Sequence, residues 1–406
     1  MATIPAPCRA SRRCFEVFQR NLKPGGPPCA TATFFLALTL CTLSLLTACR
    51  TADLTPRLQR FQYTSPHMGT TFSITLYAER KSQASEAARN AFARVAALED
   101  VLSDYMADSE LKQLTENHAG RPVVVSTDLF AVLQHGAEIS DITGGAFDLT
   151  AGPYTRLWRF SRKRGTLPPP QDLAAARAAV GWQKLVLNNP RRTATLAMDG
   201  LRLDAGGLAK GHAADEAMKV LRAHGIDRAL IAASGDILAS QPPPGEEGWT
   251  VSIAGTGSES SRPHFSGWVG SGQGLGTDSH SREGSSAVGL SFAGTAGPIS
   301  GATPPPILSI RNAALSTSGD TGQFIEIEGT HYSHIVSPFT GLGLTNRVQA
   351  TVIAPRAATS DALATACCVL GPERAIRLAD SIPGVSVLLI VKDGDAAEVW
   401  RSRDAP

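Results

Sequence analysis

Apolar positions along this chain recur at two spacings. Phe72, Ile74 and Leu76 alternate with polar neighbours as on one face of a half-buried strand, and Met68-Gly69-Thr70 leads into them. Ala88, Phe92, Val95, Leu98 and Leu102 then step at helical intervals. LSDYMADSELKQL follows as a loop in which Ser109 and Glu110 open a short helix. Residues 130–142 predict another amphipathic helix, stopped by Thr143-Gly144-Gly145; in AFDLTAGPYTRLWRF the Gly-Pro pair marks a turn before a short aromatic helix. A helix around 170–180 and a pair of strands come next. Leu201 and Leu203 read as a half-buried strand, followed by a helix that carries Ala213, Ala214, Ala217, Met218 and Leu221 and closes near Gly225. Residues 228–233 (RALIAA) predict a buried strand leading to Ser234-Gly235-Asp236, a second place where backbone could meet a ligand, and 249–254 (WTVSIA) predict another strand.

The pattern then stops. Residues 255–306 are crowded with Gly, Ser, Thr and Pro and hold few large apolar side chains, so they cannot bury enough surface to order themselves. They are expected to be a surface insertion, with His264 and His280 solvated. From Ile307 the order resumes: AALSTSGD, FIEIEGTHYSHIVSPFTGLG and VQATVIAP predict successive strands, with turns at Gly319, Gly329 and 338–343. SDALATACCVLG predicts a helix, and the chain ends in an amphipathic helix near Ala375 and the strand VSVLLIVKDG.

Composition changes the picture mainly at the N-terminus. With 406 residues, 43% of them hydrophobic and 18% charged, the chain can bury a substantial core and is neither disordered nor polytopic. Its formal charge of +2 is close to neutral and much of the excess lies in the N-terminal segment, so no electrostatic case for nucleic acid exists. In that segment Arg9, Arg12, Arg13, Arg20 and Lys23 precede an apolar run at 30–46 that ends in Leu46-Thr47-Ala48-Cys49. Small residues directly before a cysteine resemble the lipobox of bacterial lipoproteins, in which the cysteine is acylated and becomes the new N-terminus. An uncleaved anchor is the alternative, but the run is short for a spanning helix. We therefore expect a signal peptide at 1–48, a linker at 49–60 lipidated on Cys49, and one folded domain at 61–406 interrupted by 255–306. The protein would sit in the bacterial cell envelope, lipid-anchored and facing the periplasm. Cys8, Cys14, Cys29 and Cys41 precede Cys49, which leaves Cys367 and Cys368 in the folded body, where an apolar helix makes them small core residues.

Candidate chemistry gathers in LRLDAGGLAKGHAAD, where Gly206 and Gly207 lie between a strand and a helix. Such a joint lets a ligand approach the backbone, and the helix it opens offers unpaired N–H groups that suit a phosphate. Asp204 could hold a ribose, a base edge or a metal; the plainer alternative is a tight turn with a surface Lys210. Tyr105 could stack on a planar ligand or plug the core. Asp361 and Thr365 are four apart, hence on one helix face, and as hard oxygen donors they suit Mg²⁺. Equally, they could be a helix cap and a Thr bonded to its own turn. His331 and His334 flank Tyr332 and Ser333, and a histidine beside a strand is, taken alone, a structural residue.

Seven segments, MGTTFSI, LSDYMADSEL, TGGAFDLTAGP, LDAGGLAKGHAAD, ALSTSGD, YSHIVSPFTG and SDALATACCVLG, occur in the order found in the ApbE family, which the chain resembles from about Met68 to its end apart from the insertion. Members of that family are envelope lipoproteins that move FMN from FAD onto a Ser or Thr of another protein. The resemblance implies an α+β fold related to the tunnelling folds, with FAD bound between two subdomains. By position, Met68, Tyr105, Ala146, Phe147, Asp148, Asp204, Lys210 and Ile335 match FAD contacts, and Gly207 (through its carbonyl), Asp361 and Thr365 match a Mg²⁺ site. His334 matches the histidine proposed to take the proton from the acceptor hydroxyl. The implied partners are FAD and an acceptor flavoprotein. Four departures stand against the pattern: Ser337 replaces the usual Asp, His212 the usual Tyr, Ala364 an Asp that some members use as a second metal ligand, and 255–306 a short loop. A Mg²⁺-dependent FAD pyrophosphatase giving FMN and AMP, and a non-catalytic FAD-binding lipoprotein, are the alternative readings.

Overall fold

The alternation at Phe72, Ile74 and Leu76 becomes the inward face of a hairpin in which β1 (Gln59–His67) pairs antiparallel with β2 (Thr70–Ala78), and all three side chains are fully buried. Met68 and Gly69 form its two-residue turn, both in left-handed backbone with φ 50° and 71°. The structure, a computed structural model, describes residues 57–117, 120–252, 307–320, 323–393 and 396–405. The signal peptide, lipidation site at Cys49 and 255–306 insertion that the sequence leads us to expect lie outside the described residues. β1 starts at Gln59, inside the last two positions of the stretch expected as a linker.

Helical spacing yields α1 (Lys81–Leu102), whose Ala84, Ala88, Ala91, Val95, Leu98 and Leu102 are buried along one side. Ser109 opens α2 (Glu110–Asn117), its Oγ accepting from the Lys112 N–H at 3.1 Å. After β3 (Val123–Val124), Ser126 caps α3 (Thr127–Ile142), and Gly144 and Gly145 end it in left-handed backbone. Next come α4 (Gly152–Arg164) with Pro153 in its first turn, α5 (Pro170–Ala179), β4 (Leu185–Asn188) and β5 (Thr193–Leu196). The glycine-rich stretch leads into α6 (Ala209–Ala223), then β6 (Ala229–Ala233), β7 (Asp236–Ala239) and β8 (Trp249–Ser252). The remainder comprises β9 (Ile307–Ile310), β10 (Ala313–Gly319), β11 (Phe324–Ile327), β12 (Thr330–Ser333), β13 (Arg347–Ala354), α7 (Ala357–Leu370), α8 (Pro372–Ser381), β14 (Ser386–Asp393) and β15 (Ala396–Arg401).

Among the described residues eight strands form one antiparallel sheet in the order β1-β2-β6-β7-β10-β13-β14-β15. Period-two alternation sends Ala229, Ile231 and Ala233 of β6 to one face, under α1, α6 and α7, and Leu230 and Ala232 to the other. That second face is covered by the antiparallel β8–β9 pair, through Trp249, Val251, Leu308 and Ile310. On the first face α6 packs against α1 and α7, and α7 rests on β10 and β13. A separate apolar cluster joins Tyr154 and Trp158 of α4 to Ala176, Val180, Ile327 and Val336. Helices held to one face of an antiparallel sheet are the α+β arrangement that the resemblance implied. Cys367 and Cys368 are buried free thiols in the main core, as their apolar setting predicts. Among the described residues no helix is long and apolar enough to cross a membrane.

One expected strand is absent. Leu201 and Leu203 are buried, but only Arg202 makes a ladder contact, a single parallel bridge to Ala151. Leu149 accepts the Asp204 N–H at 2.8 Å, and α4 starts at Gly152, so its partner segment is too short to extend a ladder.

His212 lies in α6 at 4% exposure, and neither ring nitrogen has a hydrogen-bond partner among the described residues. Burial lowers its pKa to about 4, reinforced by the charges of Arg356 and Arg94 and opposed by Glu216 and Asp128. The unfolded chain, with an ordinary histidine near 6.5, therefore binds the proton first, and the stability tied to this group is lost as pH falls from about 6.5 towards 4. We expect His212→Leu to lose about 2 kcal/mol less than the wild type between pH 7.5 and pH 5 in urea unfolding at 25 °C. Parallel losses in the two proteins would show that the ring is not held neutral by the fold.

Candidate active site

The turn before α6 is tied locally: the Asp204 carboxylate accepts the Gly206 N–H at 2.8 Å, an Asx-type closure. Two residues into α6, Gly211 is where this helix crosses the start of α7, and a Cβ there would fall on the Ala357 carbonyl. The close crossing lets the Gly211 N–H donate to Asp361 Oδ2 at 3.1 Å. An N–H that could have met a phosphate at the helix N-terminus is thus spent on a carboxylate. Asp361 is not a helix cap. It lies a full turn inside α7, and the N–H groups of Ala357 and Ala358 donate instead to Asp215 at 2.9 and 3.1 Å.

Lys210 projects into the same space. Its Nζ is 3.2 Å from Asp236 Oδ2 and 3.5 Å from Asp361 Oδ2, and it donates to the Gly206 carbonyl at 3.3 Å. Asp361 is 3% and Asp236 4% exposed. Burial and then the Asp236 charge push the Asp361 carboxyl up to about 7, against the pull of Lys210 and the Gly211 N–H. For Lys210, burial acts to lower the pKa and the two carboxylates more than reverse it, so the ammonium persists. One cation can neutralise only one of the two buried carboxyl groups, so whenever both are ionised a negative charge is left uncompensated. Beside it, Thr365 Oγ1 lies 3.4 Å from Ser318 Oγ, and the Gly207 backbone passes so close that a Cβ would stand 3.2 Å from that hydroxyl. Carboxylate, hydroxyl and backbone carbonyl under excess negative charge form a donor set that fits a hard divalent cation.

These groups line a cavity of about 560 Å³ whose wall also includes Tyr105, Ala146, Phe147, Asp148, Asp204, His334 and Ile335. Met68 is the one residue matched to a flavin contact that is not in this lining. It is half-buried in the β1–β2 turn, with its N–H donated to Glu99 at 2.7 Å. Tyr105 does not plug the core: it is 76% exposed, with the Arg159 guanidinium 4.1 Å over its ring. Arg159 in turn pairs with Asp104 and lies 3.6 Å from Asp204. Asp148 turns inward, accepting from the Thr150 N–H and hydroxyl, each at 2.7 Å; burial raises its pKa over the opposing effect of these bonds.

His334 follows β12, and its Nδ1–H donates to the Gln323 carbonyl at 3.1 Å. A carbonyl only accepts, so this contact places the proton on Nδ1 and leaves the Nε2 lone pair free. The ring is open to solvent, yet partial desolvation by the protein groups around it lowers the pKa, joined by Arg162 and Lys210 and opposed by the Gln323 bond and Asp320. Ser337, where a carboxylate is usual, does not hold His334. Its Oγ accepts the Phe339 N–H at 3.3 Å and its carbonyl the Gly341 N–H at 2.8 Å, so it closes the 337–341 turn.

A model of the ApbE family matches residues 68–389. The chain belongs to the ApbE family. It is 30% identical over 341 residues to an FAD:protein FMN transferase of Treponema pallidum, covering 80% of this chain and 83% of that protein. It is 29% identical over 310 residues to one of Escherichia coli, covering 75% and 76%. Among solved structures it resembles the apo flavinyl transferase ApbE of Pseudomonas stutzeri, with TM-score 0.68 and 25% identity over 86% of this chain and 96% of that one. The Vibrio cholerae flavin transferase ApbE matches with TM-score 0.66 and 25% identity over 86% and 98%.

In this ApbE-family chain two contributors to the cavity, Asp104 and Arg159, carry no signal in the sequence. Asp104 and Arg159 are 55 residues apart and pair only through the fold. Asp236 was marked by its neighbours, since Ser234-Gly235 signals a turn at which backbone meets a ligand, but no local pattern links it to Lys210.

Proposed function

We propose that this chain is an FAD:protein FMN transferase, which moves FMN from FAD onto a serine or threonine hydroxyl of an acceptor flavoprotein and releases AMP. The observation that carries the reading is the meeting of a backbone-oriented imidazole with a buried carboxylate and hydroxyl in one cavity, in a chain related to such transferases along most of its length. The acceptor oxygen forms a bond to the FMN-side phosphorus, the bond from that phosphorus to the bridging oxygen breaks, and AMP leaves with the bridging oxygen. The proton of the acceptor hydroxyl passes to His334 Nε2, which the Gln323 contact leaves unprotonated. Asp361, Thr365 and the Gly207 carbonyl would hold Mg²⁺, whose charge offsets that building on the diphosphate oxygens. Tyr105, braced by Arg159, offers a face for a planar ring, while Phe147, Asp148 and Asp204 line the bed of the nucleotide. Because both reactants are held, the attack needs no diffusive encounter between them.

Acylation of Cys49 after removal of 1–48 would tether this domain to the envelope membrane, facing the periplasm. The lipobox-like Leu46-Thr47-Ala48-Cys49 supports that reading. A Cys49→Ser protein should then leave the membrane fraction for the soluble one; retention in the membrane would argue for an uncleaved anchor.

With FAD, Mg²⁺ and a candidate acceptor we expect a covalent flavin on the acceptor and an equal amount of AMP. Free FMN beside an unlabelled acceptor would identify a pyrophosphatase instead, and tight FAD binding without AMP a non-catalytic carrier. Asp361→Asn should reduce turnover by at least about a hundredfold with unchanged circular dichroism. Because the protein groups around it lower the His334 pKa, the neutral base persists into mild acid and the acid limb of the rate should lie below about 6.5. His334→Ala should remove that limb together with most of the rate; a limb that survives the substitution belongs to another group.

A further inference from the structure

Asp236 has no part in the transfer chemistry assigned to His334, Asp361 and Thr365. It opens β7 directly after Ser234 and Gly235, which turn the chain from β6; Ser234 is left-handed, with φ 57°, and a Cβ on Gly235 would stand 2.7 Å from the Thr317 carbonyl. The turn is thus pressed onto β10, and the Asp236 side chain is set into the cavity that Asp361 and Thr365 also line. Asp236, Asp361 and the Gly206 carbonyl, from a strand, a helix and a loop, surround the Lys210 ammonium at 3.2, 3.5 and 3.3 Å. Oxygens that gather around an ammonium are of the kind that bind a hard divalent cation, and a monovalent group leaves this pair undercompensated. Meanwhile Ala364, at the position where some relatives carry a second metal-binding Asp, is fully buried and part of the apolar core, so α7 brings one carboxylate alone.

We propose that Asp236 supplies the second carboxylate of the cation site, from β7 and not from α7, and that Lys210 holds the Asp236–Asp361 pair until a divalent cation takes the place of its ammonium. The proposal rests on the reading of Asp361, Thr365 and Gly207 as that site. It differs from a role for Asp236 as a mere anchor of Lys210 in the sign of two substitutions. If the ion pair only shapes the pocket, neutralising either partner damages cation binding alike. If Asp236 is a ligand and Lys210 a competing cation, the two substitutions act in opposite directions.

The test is Mn²⁺ binding to the purified protein without FAD, followed by electron paramagnetic resonance of the free ion, with thermal unfolding measured in parallel. We expect one site in the wild type, at least about tenfold weaker binding in Asp236→Asn, and tighter binding in Lys210→Met. Should Asp236→Asn fail to fold, Lys210→Met/Asp236→Asn removes both charges at once and must bind Mn²⁺ more weakly than Lys210→Met. Unchanged affinity in Asp236→Asn, or equal weakening in Asp236→Asn and Lys210→Met, overturns the proposal. A wild type that takes up no Mn²⁺ overturns the underlying cation reading, and the proposal with it.

Discussion

Asp361 sits where α7 crosses the start of α6, and its buried carboxylate is met by the Gly211 N–H at 3.1 Å and the Lys210 ammonium at 3.5 Å. A carboxylate out of water is costly unless it is paired and hydrogen-bonded, so the site depends on how closely these helices approach. Gly211 permits that approach, because any Cβ would strike the Ala357 carbonyl. Asp215, one turn further along α6, ties down the first N–H groups of α7. The helices are thus joined by backbone-to-carboxylate bonds in both directions, and α7 in turn rests on β10 and β13. The partial positive charge at the start of α6 favours the Asp361 anion but does not cancel it alongside Asp236. What remains is a site rigid enough to persist and negative enough to attract a cation.

The smaller apolar cluster positions the other wall. Trp158 Nε1 donates to the Gly341 carbonyl at 2.8 Å, and Gly341, left-handed with φ 75°, lies so close to the Tyr154 ring that a Cβ would overlap it. The 337–343 turn is thereby pinned to α4, with the Ser337 side chain closing it from within. Because α4 also carries Arg159, the element that fixes the chain after His334 is the one that braces Tyr105. Base and stacking face are positioned from one helix, with Trp158 and Tyr154 buried beneath both.

How much of this could be read from the chain depends on whether a neighbour or a distant segment decides the outcome. α1 and α6 were legible because each buries one face, which imposes a period on the sequence, β2 through the alternation of its large apolar side chains, and β6, buried on both faces, as a short continuous apolar run. The pair Leu201 and Leu203 shows the same local pattern, yet no strand forms, since a ladder needs a partner and Ala151 offers one residue. Asp204, Gly207 and Lys210 share a single stretch and could be suspected together. Asp361 was ambiguous until Asp215, from another helix, was seen to take the capping N–H groups. Tyr105 was ambiguous because burial is a tertiary property, and Asp236 is tied to Lys210 only by the folding of β7 beside α6. His334 became a candidate base through resemblance alone; its tautomer follows from Gln323, a residue no spacing connects to it.

That tautomer bears on how much the lost carboxylate at 337 matters to the proposed transfer. A carboxylate behind an imidazole both orients the ring and stabilises its protonated form, whereas the Gln323 carbonyl orients it with a smaller electrostatic gain. With partial desolvation and two nearby cations lowering its pKa as well, His334 is a weak base for a hydroxyl proton. Phosphoryl transfer tolerates this, because in its loose transition state the incoming oxygen has formed little of its bond and keeps its proton until late. The demand then falls on charge at the diphosphate and on alignment, which the Asp361 side of the cavity and the pinned 337–343 turn supply. A serine at 337 is compatible with such a reaction because it does the structural half of what an aspartate there would do: closing the turn needs a hydrogen-bond acceptor, not a charge.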